Sequence, residues 1–177
     1  MRRVVAALAA AALLAGCSSS TGGITTLAKV DGWRDGFEGS RGSLEIAYDA
    51  AATRAMWDDN IASDVPDASG DARRPGVYGS LDRVDFGEQV VVMLSSGQSS
   101  SCPALLTKVA TSNGVVMVRT DDGTGLFGGS CTADYAYYRV IAAVDRDAVP
   151  TAAELDDTTL SIDGFTEAAM GAYPLTP

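Results

Sequence analysis

The chain has 177 residues, a formal net charge of −10 and no histidine. Without imidazole there is no Ser-His-Asp or Cys-His catalysis, no zinc site of the His-Glu-x-x-His type and no histidine proton shuttle. The acidic balance argues against a nucleic-acid partner, which needs clustered Lys and Arg, and against electrostatic adhesion to anionic lipid.

Met1-Arg2-Arg3 is a positive start, and Val4 to Ala15 is an unbroken apolar run. The run has the length of a signal-peptide core and is too short to span a bilayer. It ends in Leu13-Leu14-Ala15-Gly16-Cys17. This resembles the lipobox of bacterial lipoproteins, matched at Leu14, Ala15, Gly16 and Cys17. The resemblance implies removal of residues 1–16, acylation of Cys17 and attachment to the bilayer at the extracytoplasmic face of a cell membrane. The competing reading is an ordinary secretory signal with a chance cysteine after its cleavage site. About 160 residues then remain, enough for one domain with a hydrophobic core, and their charge is nearer −12 because Arg2 and Arg3 leave with the signal.

Residues 17–43 read as a lipidated polar tether. It starts Ser18-Ser19-Ser20-Thr21-Gly22-Gly23 and continues glycine-rich, with Trp33 and Phe37 either a docking peptide or a pin to the domain surface. A single mainly-β domain is expected over 44–165, followed by a tail over 166–177. Leu44, Ile46 and Tyr48 alternate with Glu45 and Ala47, the pattern of a half-buried strand. Asp49 is placed to cap a helix over Ala50–Trp57, with Ala52, Met56 and Trp57 facing inward and Asp58-Asp59-Asn60 ending it. Pro66 to Gly79 reads as an acidic loop.

Val-Val-Val-Met-Leu at 90–94 suits a central strand covered on both faces. Strands over 105–110 and 115–120 flank Asn113-Gly114, a hairpin signal because both residues tolerate positive φ. Tyr135 to Val144 predicts a longer strand, Thr151 to Glu154 has capping-box spacing for a short helix, and Thr159 to Ile162 makes a last strand. The fold expected is α+β, mainly β: an antiparallel meander or small β-sandwich with one or two short helices and one disulfide.

With Cys17 committed to lipid, Cys102 and Cys131 are an even pair in an exported domain, where pairs form disulfides. The strand order puts both at one end of the meander. A metal site lacks soft ligands, and a redox pair lacks Cys-x-x-Cys spacing. The turns at 95–101 and 121–130 share this pinned end, and Gln98, Asp121, Asp122 and Phe127 are its candidate binding surface; the alternative is two long solvated turns.

Asp121-Asp122-Gly123 and the group Asp64, Asp67 and Asp71 lack the oxygen spacing of a calcium loop. There is no Gly-x-Ser-x-Gly elbow, phosphate loop or dinucleotide fingerprint, and Asp82 and Asp85 read as solvated surface. No catalytic residue, metal or cofactor is assigned.

Ser100-Ser101-Cys102-Pro103 and Cys131-Thr132-Ala133-Asp134 resemble motifs of small secreted or lipid-anchored bacterial proteins of unknown function, which implies a disulfide-bonded β domain. Val84-Asp85-Phe86 through Val90 to Gly97 is similar to the β domain of proteins associated with bacterial protease complexes. The expectation is a non-enzymatic binding module with an envelope protein or peptide as partner. The second expectation is a regulator or inhibitor of an extracytoplasmic protease that presents the 95–101 turn, and a hydrolase comes third.

Overall fold

A computed structural model describes residues 23–32, 42–123, 130–164, 166 and 168–175. Nine strands and one helix occur in chain order among them: β1 (Thr25–Asp31), β2 (Ser43–Ala47), α1 (Ala50–Asn60), β3 (Gly76–Val77), β4 (Gln89–Gln98), β5 (Leu105–Ser112), β6 (Val115–Asp121), β7 (Ala136–Asp145), β8 (Thr159–Ile162) and β9 (Ala169–Ala172). They form a six-stranded sheet of order β3-β1-β7-β4-β2-β9 and a three-stranded sheet of order β5-β6-β8. The mainly-β class, the single disulfide and the sandwich alternative are what this architecture shows.

The apolar run at 90–94 explains the layering. Along a strand successive side chains point to opposite faces. Val90, Val92 and Leu94 enter one core with Leu106, Val109, Val116, Val118, Leu160 and Ile162 of the small sheet. Val91 and Met93 enter a second core with Met56 of α1, Leu27, Ile141 and Ala143. The large sheet is therefore the middle layer, with the small sheet on one side and the helix on the other. Asp49 caps α1 as the sequence predicts, its Oδ1 accepting the Ala52 N–H at 2.9 Å, and Ala52, Met56 and Trp57 face the core. The helix runs to Asn60, three residues past Trp57, because Asn60 is itself buried and donates from Nδ2 to the Met56 carbonyl at 2.8 Å.

The hairpin also obeys its sequence signal. Asn113 and Gly114 have φ of +51° and +73° and pair Ser112 with Val115 across a two-residue turn, the primed geometry that matches strand twist.

A single meander does not form. β4 bonds to β2 and β7, so the chain after Gln98 crosses to the second sheet instead of pairing back on β4, and it returns between β6 and β7. Cys102 lies in the first crossing and Cys131 in the second. They are joined, with Cα atoms 5.6 Å apart, so the disulfide ties the two inter-sheet passages at one end of the sandwich.

Other departures come from partners distant in sequence. The segment expected to be a tether over 17–43 contains β1, an interior strand between β3 and β7. The expected tail contains β9, parallel to β2 from Ser43↔Ala169 to Ile46↔Ala172. β2 is paired along both edges and buried on both faces, with Leu44 and Ile46 in one core and Ala47 in the other, and Glu45 is buried too, its Oε2 accepting the Leu175 N–H at 3.0 Å. At Thr151 the capping-box contact forms, with the Thr151 N–H donating to Glu154 Oε2 at 2.9 Å, but the chain then makes only a single 3-10 turn at Leu155–Asp157. Just before this segment Arg146 ties the end of β7 to the start of β4, its Nη2 donating to the carbonyls of Phe86, Tyr48 and Gln89 at 2.6, 3.1 and 3.2 Å.

Candidate functional site

The pinned end is built around a buried lysine. Lys29 is the interruption in the apolar pattern of β1, and it is only 1% exposed. Its Nζ donates to the Ala104 carbonyl at 2.5 Å, the Arg73 carbonyl at 2.8 Å and Gln98 Oε1 at 2.9 Å. It also lies 4.4 Å from the centre of the Tyr138 ring. An ammonium has three donors and no acceptor, so every N–H is used. Burial lowers its pKa to about 8, against the upward pull of Asp31 and Asp71 and with a further downward push from Arg73. It is therefore still charged at neutral pH. Three acceptors and a ring face close round it, so this amine is a fastener between β1, the end of β4 and two loops, with no open side for a substrate.

Arg73 makes the next tie. Its Nη2 donates to Asp121 Oδ2 at 2.7 Å and its Nη1 to Asp71 Oδ1 at 3.3 Å, while Asp121 Oδ1 accepts the Gly123 N–H at 2.8 Å. Asp71 sits below its ordinary pKa, first because it accepts the Arg73 backbone N–H.

Outside the disulfide lies an exposed hydroxyl cluster. Ser99 closes a tight turn on Cys102, whose N–H donates to the Ser99 carbonyl at 3.1 Å. The Ser99 and Ser101 hydroxyls each lie 3.0 Å from Thr132 Oγ1, and the Thr132 N–H donates to Ser101 Oγ at 2.9 Å. Thr132 Oγ1 donates in turn to Asp134 Oδ1. Hydroxyl donors from Ser100 and Thr132 hold the Asp134 carboxyl down at about 2. So stabilised, a carboxylate is a poor proton acceptor, and general-base strength falls with pKa. The cluster can read polar groups; it is badly placed to abstract protons. Next in the chain come Tyr135 and Tyr137, 61% and 47% exposed, with rings edge-to-face at 5.2 Å.

The four residues expected to form a binding surface separate here. Gln98 lies in β4 and faces inward on Lys29, because strand pairing with β7 continues through Ser95 to Gln98 and leaves a turn only from Ser99. The same pairing removes the first half of the 95–101 turn that the protease-regulator expectation presents to its target, with Ser95 and Ser96 buried. Asp121 is committed to Arg73 and Gly123. Asp122 is exposed. Phe127 lies outside the described residues, as do Cys17, Trp33 and Phe37.

Ser99 and Ser101 fall in the 95–101 turn that the sequence offers as a candidate surface, whereas Thr132, Asp134 and the two tyrosines carry no site assignment from it, although the disulfide joins the Ser-Ser-Cys-Pro and Cys-Thr-Ala-Asp segments beside them. Among the described residues no group of three or more acidic or cysteine side chains converges as a metal site, and no helix is long and apolar enough to cross a membrane. No family model, curated protein or solved structure matches the chain.

Proposed function

We propose that the chain is a bacterial lipoprotein, acylated on Cys17 and held at the extracytoplasmic face of the cell membrane, where its two-sheet domain acts as a non-enzymatic binding module for an envelope protein or peptide. The anchoring half rests on the basic start, the apolar run and Leu14-Ala15-Gly16-Cys17. The binding half rests above all on one observation, the exposed Ser99-Ser101-Thr132-Asp134 cluster fixed to a rigid sheet end by the Cys102–Cys131 bond. Polar groups held in place before contact cost less entropy to dock than mobile ones.

Two experiments test it. Fatty-acid labelling should mark the wild type and not Cys17→Ser, which should leave the membrane fraction; label persisting in the variant refutes the anchor. A membrane pull-down with the wild-type domain should recover a partner that Thr132→Ala/Asp134→Asn loses, while changes at Ser112 in the far hairpin keep it. Equal recovery by both moves the site away from the clamp.

A further inference from the structure

The helix does not cover its whole side of the large sheet. Residues two apart on a strand share a face, so Ile141, Arg139 and Tyr137 succeed one another along β7 on the helix side, with Ile141 in the helix-side core. α1 stops at Asn60, whose Oδ1 accepts from Arg139 Nη1 at 2.7 Å. Past that contact stand Tyr137 and then Tyr135, the large apolar side chains that are exposed among the described residues. Gly97 of β4 makes room for the second of them: a methyl group there would overlap the Tyr135 ring. On the other side of Arg139 opens a groove of about 350 Å³, walled by Val30, Val65 and Pro66 and rimmed by Asp31 and Asp64. Arg139 lines the groove and is two residues from Tyr137 on the same face of β7, so the groove and the aromatic strip lie on one side of the large sheet.

Charge selects what fits it. The groove lining holds two carboxylates, Asp31 and Asp64, and one guanidinium, Arg139. α1 ends at its rim with Asp58 and Asp59 and no basic residue in its last turn, so the partial negative charge of the helix C-terminus is reinforced there. Asp134, held ionised, adjoins Tyr135 at the other end. Tyrosine faces attract ammonium and guanidinium groups, apolar walls accept their aliphatic stems, and the chain as a whole carries −10.

We infer that this strip docks an extended, lysine- or arginine-bearing peptide segment of a partner protein. The inference rests on the reading of the domain as a binding module and adds the chemistry of its partner.

The test uses the whole exported domain and three probes: a fluorescein-labelled octapeptide of alternating Lys and Thr, its Glu and Thr counterpart, and chitohexaose. The Lys peptide should bind, with affinity falling about tenfold in Tyr135→Ala/Tyr137→Ala, which changes no charge. Gly97→Ala, which displaces one ring and keeps both tyrosines, should weaken it in the same direction at an unchanged melting temperature. Equal affinity in these variants would mean diffuse attraction to an acidic protein and would overturn the inference. Preference for the Glu peptide or for chitohexaose, or self-association through the strip, would overturn it too while leaving a binding module. Silence from all three probes also overturns it, and the membrane pull-down still decides separately whether the domain binds anything.

Discussion

Lys29 and Gln98 meet end to end inside the protein, Nζ to Oε1 at 2.9 Å, and the same oxygen accepts the Ala104 N–H at 2.8 Å. One amide thus serves the charge of β1 and the backbone of the first inter-sheet crossing. Gln98→Ala leaves a buried ammonium short of an acceptor and orphans an amide proton. The loss should be about 1.5–3 kcal/mol in urea unfolding, the range for hydrogen bonds to charged groups. A cost below about 0.5 kcal/mol would mean that water replaces the amide.

The same lysine gives a pH signature. Its pKa is about 8 in the folded protein against 10.5 for an unperturbed side chain. Between those values the unfolded chain binds more protons than the folded one, so this group's contribution to stability rises with pH across that window. Tyr48, raised by burial to about 12, acts oppositely above its unperturbed pKa of 10.0. Subtracting the profile of Lys29→Met cancels the tyrosine: the wild type should gain on the variant from about pH 8 to 10.5. A flat difference would show that Lys29 keeps its ordinary pKa.

The bond between Cys102 and Cys131 closes a 29-residue separation. Reduction, or Cys102→Ala, should cost about 2–5 kcal/mol, the usual loss for a native disulfide in a small exported domain. Unreduced peptide mapping should find the two cysteines in one linked fragment. Two free thiols would remove the basis for a clamped end.

Deleting residues 169–177 should do more than trim a tail. It removes β9 and Tyr173, whose hydroxyl donates to Asp59 Oδ2 at 2.5 Å, and opens β2 as an unpaired edge that exposes Leu44 and Ile46, an invitation to pairing between molecules. Broadened thermal unfolding and concentration-dependent aggregation are expected. A monomer melting as sharply as the full chain would contradict the pairing of β9 with β2.

The features legible in the sequence are local. The 90–94 run, the Asn113-Gly114 hairpin, the Asp49 cap and the cysteine pair each carry their signal within a few residues. The departures lie where a partner is far along the chain. Thr25 to Asp31 shows no clean alternation because Lys29 stands in its middle, and only acceptors 44 to 75 residues away make that burial tolerable. Glu45 reads as a solvent-face residue by alternation alone, yet it is buried and the chain just after β9 meets its carboxylate at Leu175. Gln98 has the neighbours of a turn residue, serines and a glycine, while its strand is set by β7, some 40 positions later. A candidate surface drawn from turn composition therefore includes Gln98, which turns inward onto Lys29, and Asp121, half-exposed but tied to Arg73, and it omits Thr132 and Asp134 beside the disulfide.

Both edge strands that close the sheets late, β8 beside β6 and β9 beside β2, are parallel additions from the last twenty or so residues. Neither layer is complete until the carboxyl end is free to dock. A chain threaded amino end first through a narrow export channel would hold its last strands inside while the rest emerged. For such a chain the order of strands would postpone final closure to the far side of the membrane, where oxidising conditions would also join Cys102 to Cys131.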